Sequence, residues 1–403
     1  QGSFRLGAHM GMLMCDHPEI FDFVHCKDDG KELQNFNISV LITDEFIKCL
    51  QNDGDWPLRN PKDNSIVRII KAKQLWNEIC QSAWKTGDPG VAFIDRVWET
   101  APNPQLGKII VSNPCSEEFL EDGANCCLGS INLGHFVTND VEPRIKWAEL
   151  KEMVSTAVLF LDNVIEVNEF PLLYLREMNL KTRRIGLGVM GWADMLVNLE
   201  IQYDSDRAVK LAEEVGKFIK DAAWEESIHL AGIRGVYPEY EKSALKANGM
   251  PPVRHSSVTT IAPTGTISRI SDSSSCIEPY FALAWFSNIL WEDHVSKSTQ
   301  FVDCPIVIRN IIKNKLSKDI DAFIKNLASH PEKSKQLLQE IGINPNLFRV
   351  SKDISPEWHV KMQAAWQKNI TNGVSKTINL PTSSTIEVLH EPSSFDGVGT
   401  HKN

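Results

Sequence analysis

An amide, a thiol and a carboxylate fall close together in the run Asn113-Pro114-Cys115-Ser116-Glu117. In an extended segment residues i and i+2 point to the same side. The spacing therefore predicts Asn113, Cys115 and Glu117 around one small volume. A carboxylate there can accept and return a proton within hydrogen-bond reach. Cys126 and Cys127 follow, opening the stretch Cys126-Cys127-Leu128-Gly129-Ser130-Ile131-Asn132-Leu133. A second thiol beside the first adds two-electron disulfide chemistry. The competing reading is packing, because most cysteines behave as small buried hydrophobes.

Two further runs could handle phosphate. Gly186-Leu187-Gly188-Val189-Met190-Gly191 fits the pattern Gly-x-Gly-x-x-Gly. A dinucleotide fold requires an apolar strand before that pattern. Lys181-Thr182-Arg183-Arg184 precedes it here and does not read as one, so helix packing through small residues is the better expectation. Pro263-Thr264-Gly265-Thr266-Ile267-Ser268 is a hydroxyl-rich turn after an apolar strand. Backbone N–H groups at such a turn bind anions, although the same residues also make an ordinary helix cap.

The elements that must position these residues alternate in type. Residues 36–41 and 258–262 read as strands, and Lys108–Ser112 as the short strand that delivers the cysteine loop. Residues 8–24 read as an extended segment passing into a helix, and Thr43 as a helix N-cap. Helices are expected over 66–86, 147–168, 189–199, 207–231, 318–342 and 356–371, with a last strand at 376–380. Strands alternating with helices indicate βαβ units and a parallel sheet, an α/β chain.

Composition narrows the classes. A chain of 403 residues with 42% hydrophobic content can bury a large core. The net charge of -10 argues against nucleic-acid or anionic-membrane partners. No apolar run is long enough to span a bilayer, and the N-terminus lacks a signal-peptide core. The expected location is cytoplasmic. Nine scattered cysteines are not a secreted disulfide framework, and no Cys/His grouping reads as a metal site.

Four of these runs resemble, in order, the ribonucleotide reductase catalytic subunit. Asn113–Glu117 with Cys126–Leu133 looks like its active-site finger loop. Arg183–Gly191, Ala262–Ser268 with Ile277-Glu278-Pro279, and Ser375–Pro381 resemble further family segments. The resemblance implies a ten-stranded α/β barrel around the finger loop, incomplete here at both ends. Residues 1–391 would be the central part of that barrel domain and 392–403 an unmatched tail. It implies that Cys115 becomes a thiyl radical that abstracts the 3′-hydrogen of a ribonucleotide. Glu117 would be the general base and Asn113 a substrate hydrogen-bonding group. Cys126 would be one reducing thiol, with Cys127 as packing and the second reducing cysteine outside this chain. Pro263, Thr264, Gly265, Thr266, Ile267 and Ser268 would hold the substrate phosphates. Gln1 and Arg5 would belong to the specificity loop.

Motif likeness favours the adenosylcobalamin-dependent branch, with an external thiol reductant such as thioredoxin and room for nucleotide effectors. Expected partners are the ribonucleotide, a thioredoxin-like protein, and a complementary reductase fragment or a second copy. The alternatives are a nucleotide-binding partner or remnant without independent catalysis, or the large subunit of a metal-dependent reductase. Cys276 stands where the family commonly has glycine before Ile-Glu-Pro.

Overall fold

The computed structural model describes residues 7–125, 127–290, 298–316, 319–380 and 383–386. Gln1, Arg5, Cys126, Pro381 and the tail 392–403 lie outside the described residues.

The chain begins with β1 (His9–Met14), α1 (Ile20–His25), β2 (Phe36–Ile42), α2 (Asp44–Gln51), β3 (Asp55–Arg59), β4 (Ile66–Lys71), α3 (Ala72–Thr86), β5 (Gly90–Phe93) and α4 (Ile94–Thr100). β1, β2 and β5 form a parallel sheet in that order. β2 ends in the apolar run Val40-Leu41-Ile42, whose faces are both covered, and Ile38, Val40, Leu41 and Ile42 are all buried. Its helices pack Ile20, Phe46, Leu75 and Ile79 beneath the sheet. Thr43 caps α2 as expected, its hydroxyl accepting the Phe46 N–H at 3.1 Å.

The helix expected over 66–86 starts only at Ala72. Ile66-Val67-Arg68-Ile69-Ile70 is rich in β-branched residues, which prefer a pleated strand, and it pairs antiparallel with β3.

The middle of the chain contributes β6 (Leu128–Asn132), α5 (Trp147–Val167), α6 (Leu173–Thr182), β7 (Gly186–Met190), α7 (Trp192–Asn198), α8 (Asp206–Arg234), α9 (Ala244–Ala247) and α10 (Ile267–Ile270). β6 and β7 pair in parallel. Parallel bridges Leu187–Thr259 and Ile261–Val374 extend the array across residues 258–262 and 372–375. One face of this array packs on α5 and α8 through Val154, Val158, Leu161, Val215 and Ile219. Last come β8 (Trp285–Leu290), β9 (Ser298–Asp303), α11 (Ile306–Lys315), α12 (Ile320–Ser329), α13 (Ser334–Glu340) and α14 (Pro356–Gln367). Trp366 of α14 meets Trp192 edge-on at 5.2 Å, and such pairs add about 1 kcal/mol beyond their burial.

Several expectations shift. Residues 186–190, read as helix packing, are a strand, and Gly191 turns the chain into α7 at φ +74°. The helix expected over 318–342 is two helices separated at Pro331, and 356–371 is helical only to Gln367. Lys108–Ser112 and 376–380 carry no strand, and 258–262 makes bridges only. The described strands form two parallel groups, β1-β2-β5 and β6-β7, and two antiparallel pairs, β3–β4 and β8–β9, and close no continuous ring. The expectation of parallel α/β staves is met, and the ten-strand count is not read among the described residues. No helix among the described residues is long and apolar enough to cross a membrane.

Candidate active site

The loop carrying Asn113, Cys115 and Glu117 is a tight hairpin tip. Ser112 and Phe119 bridge antiparallel at its base. Asn113 N–H donates to Glu118 O at 3.1 Å and Ser116 N–H to Asn113 O at 3.0 Å. Asn113 Oδ1 accepts the Glu118 N–H at 3.0 Å. Ser116 turns the corner at φ +61°, so the alternation of an extended segment fails here. Cys115 is exposed and Glu117 is buried. Within this one turn the three side chains still influence one another. Burial pushes the Glu117 carboxyl up, against a hydrogen bond from Asn113. The loop desolvates the Cys115 sulfur, and that together with the Glu117 charge pushes the thiol up as well. Glu117 Oε2 is buried without a hydrogen-bond partner. A buried carboxylate oxygen left unpaired is costly, so this atom is open to a hydrogen-bond donor from outside the loop.

Beneath the tip lies a polar floor. The Thr260 hydroxyl donates to Glu118 Oε1, and Asn372 Nδ2 reaches both Glu118 oxygens at 3.1 Å. Arg184 grips both Glu121 oxygens at 3.1 and 3.0 Å, donates to Phe119 O at 3.1 Å and reaches Asn372 Oδ1. Burial pushes Glu118 up to about 7, opposed by Arg184 and Thr260.

Two glycines admit this floor. A Cβ on Gly186 would stand 2.6 Å from Glu118 Oε1, and one on Gly188 would collide with Thr260 O. The Gly-x-Gly-x-x-Gly run thus clears space for the finger loop and a neighbouring strand. Gly373 N–H donates to Glu117 O at 2.8 Å, and Asn37 Nδ2 donates to Pro114 O at 2.7 Å. Glu118, Asn372, Gly373 and Asn37 escaped the sequence reading. The Glu117-Glu118 doublet and the Asn372-Gly373 pair were the only local signals.

The hydroxyl-rich turn follows the strand segment that bridges to Val374. Thr264 is buried at φ +54°, and its Oγ1 accepts the Cys276 N–H at 2.7 Å. Ser268 N–H donates to Thr264 O at 2.9 Å, and the Ser268 and Ser275 hydroxyls pair at 3.0 Å. The Thr264 and Ser268 hydroxyls thus have partners inside the protein, and a Cβ on Gly265 would meet nothing within 4 Å. Cys276 adopts φ +32°, in the left-handed region that favours glycine. Glycine, which the resemblance implies at this position, would adopt that conformation without strain.

Cys127 is buried beside α5, its Sγ 3.6 Å from Leu161 O, and burial pushes its thiol up to about 11. The roles expected of Cys126, Gln1 and Arg5 fall outside the described residues.

The family model described as "Ribonucleotide reductase, barrel domain" matches residues 1–252 and 245–393. A vitamin B12-dependent ribonucleoside-diphosphate reductase of Thermoplasma acidophilum is 40% identical over 391 residues, covering 96% of this chain and 49% of that protein. Its counterpart in Mycobacterium tuberculosis is 38% identical over 387 residues, covering 96% of this chain and 54% of the relative. The chain thus spans about half the length of the curated relatives it matches. Among solved structures, the Actinobacillus ureae class Id ribonucleotide reductase alpha subunit superposes with a TM-score of 0.71 at 20% identity, over 97% of this chain and 69% of that one. That likeness shows the fold. The chain belongs to the ribonucleotide reductase barrel-domain family.

Proposed function

We propose that this chain is the catalytic core of a cytoplasmic enzyme that reduces ribonucleotides to 2′-deoxyribonucleotides, with residues 1–391 as the central part of a ten-stranded barrel. The carrying observation is the buried, unpartnered Glu117 Oε2 in the same turn as the exposed Cys115. Family membership and the ribonucleoside-diphosphate reductase names of the relatives support the reading, and we take diphosphates as the substrate class.

In this reading a Cys115 thiyl radical takes the 3′-hydrogen atom. Glu117 accepts the 3′-hydroxyl proton while Asn113 orients the ribose. The 2′-hydroxyl leaves as water once protonated. A thiol pair supplies two electrons and two protons and becomes a disulfide, and Cys115 returns its hydrogen atom to C3′. The balance is one ribonucleotide and two thiols to one deoxyribonucleotide, one disulfide and one water. We assign Cys126 to that pair, since Cys127 is committed to helix packing. A thioredoxin-like dithiol resets the disulfide. Pro263–Ser268 holds the phosphates, with Gly265 on the open side. Gln1 and Arg5 belong to the specificity loop, and Arg5 is its base-contacting arginine.

The vitamin B12 dependence named for the relatives makes adenosylcobalamin our proposed cofactor. The fit rests on Cys115, which is accessible yet held as a thiol, the form that can lose a hydrogen atom. When bound, the cofactor supplies the oxidising equivalent that leaves this sulfur as a radical. The test is Cys115→Ser. It abolishes deoxyribonucleotide formation and leaves the melting temperature near wild type. Retained turnover in this variant, or its failure to fold, would remove Cys115 from the chemistry.

A further inference from the structure

One segment, residues 372–377, touches both halves of the site. Asn372 reaches Glu118, and Gly373 N–H reaches Glu117 O. Ser375 N–H then donates to Ile261 O at 2.9 Å, at the end of the strand segment that feeds the Pro263–Ser268 turn.

Lys376 follows with a fully buried side chain. It donates to Glu278 Oε2, to His359 Nδ1 at 2.8 Å and to Thr377 O at 2.8 Å. An ammonium has three donors, so protein groups consume them all. His359 faces Lys376 as a neutral ring, its pKa lowered by burial and by that cation. Its Nδ1 accepts and its Nε2 faces Ser351 O at 3.4 Å. Glu278 uses its other oxygen to accept the Thr377 N–H at 2.6 Å. A cation enclosed in this way does not grip a ligand. It fixes Glu278 against the 372–377 segment.

Glu278 closes the run Cys276-Ile277-Glu278, and the Cys276 N–H is the donor that holds Thr264 Oγ1 at 2.7 Å. Both ends of that hydrogen bond adopt left-handed backbone, Cys276 at φ +32° and Thr264 at φ +54°. Such conformations persist in non-glycine residues only where the surroundings impose them. The Glu278–Lys376 pair, two residues from Cys276 and with its lysine side chain fully buried, is placed to impose this one.

We propose that Glu278 and Lys376 are a positioning pair that sets the phosphate-holding turn at a fixed distance from the finger loop, with residues 372–377 as the common spine. The inference rests on the reading of Pro263–Ser268 as the phosphate site. A purely structural ion pair would loosen the whole site. A positioning pair changes what the phosphates contribute to binding.

The test is calorimetric titration of the full chain with a ribonucleoside diphosphate and with the same unphosphorylated ribonucleoside. Glu278→Gln is expected to weaken diphosphate binding about tenfold and to leave nucleoside binding unchanged. Glu278→Gln leaves a buried ammonium without its anion, which can prevent folding. The double variant Glu278→Gln/Lys376→Met removes both charges and gives the same selective loss in a folded protein. Equal losses for both ligands, or diphosphate binding at wild-type strength in either variant, would overturn the inference. Thr264→Val separates the two readings. If it leaves diphosphate binding intact, the phosphate site itself is misassigned. If it removes the phosphate contribution and the Glu278 variants do not, only the positioning role fails.

Discussion

Gly373→Ala is the sharpest perturbation of the finger loop that leaves its chemical groups untouched. A Cβ on Gly373 would stand 2.9 Å from both Glu117 Cα and Glu117 O, and 3.0 Å from Ser116 O. Ordinary carbon contacts begin near 3.4 Å, so one backbone must retreat by about 0.5 Å. No side-chain rotation relieves the clash, because all three obstacles are main-chain atoms. The retreat also stretches the 2.8 Å hydrogen bond from Gly373 N–H to Glu117 O. Overpacking of this kind costs about 1–3 kcal/mol, and the weakened hydrogen bond adds up to about 1 kcal/mol. Catalysis is more sensitive, since a misplacement of about 1 Å costs roughly 10²-fold. A shift of half that size predicts about a tenfold fall in turnover. Thermal unfolding and deoxyribonucleotide formation, measured on the same preparation, check both magnitudes. A Gly373→Ala protein with wild-type melting and wild-type turnover would refute the idea that residues 372–377 position Glu117.

Two other sites give independent outcomes. Glu118 titrates at about 7 in the folded protein against an ordinary 4.5. The folded state therefore keeps a proton that the unfolded chain loses between those values. The associated stability is full below pH 4.5 and is lost as pH rises through 7, with an amplitude of about 3 kcal/mol. Glu118→Gln removes this loss, and urea unfolding of wild type and variant at acid and neutral pH should show their stability difference shifting toward the variant at neutral pH. A pH-independent difference would exclude the linkage. At the α5–α8 contact, buried Asp162 accepts from Arg183, Arg234, Arg254 and His255. Desolvation raises its carboxyl, but those bonds win and hold it well below the usual carboxylate range. Asp162→Ala removes the carboxylate shared by these groups and leaves Arg183 and Arg254 only Glu166 as an anion, a loss expected to cost about 3 kcal/mol. Chemical denaturation reads that loss, and a cost below about 1 kcal/mol would show the cluster to be solvated.

What the sequence made legible was chemistry carried by neighbours. Asn113, Cys115, Glu117 and the 263–268 turn are local runs of competent residue types. The N-cap at Thr43 was readable because a cap depends on residues three apart. The floor beneath the finger loop was not readable. Glu118 meets Asn372 across 254 positions, and neither residue announces the other. By sequence β4 reads as part of the following helix, because its isoleucines also fit a helical spacing. There β-branching and pairing with β3 decide the outcome. Gly186 and Gly188 were read as packing glycines, and the partner was misjudged. They face a carboxylate and a neighbouring strand's carbonyl rather than a helix.

The electrostatics of the tip argue for the kind of sulfur chemistry this loop supports. Nucleophilic cysteines work as thiolates and lie beside cations or helix N-termini that lower their pKa. Cys115 has the opposite surroundings. Desolvation and the carboxylate of Glu117 both push its thiol up. Such a site is poor for attack by a thiolate and suited to keeping the S–H bond intact until a hydrogen atom leaves it. The same desolvation raises Glu117, which makes it a stronger base than a solvated carboxylate. One structural choice thus serves both groups. A short turn, braced by Gly373 from one side and by Glu118, Thr260 and Asn372 from below, holds an exposed sulfur and a buried carboxyl in one desolvated place.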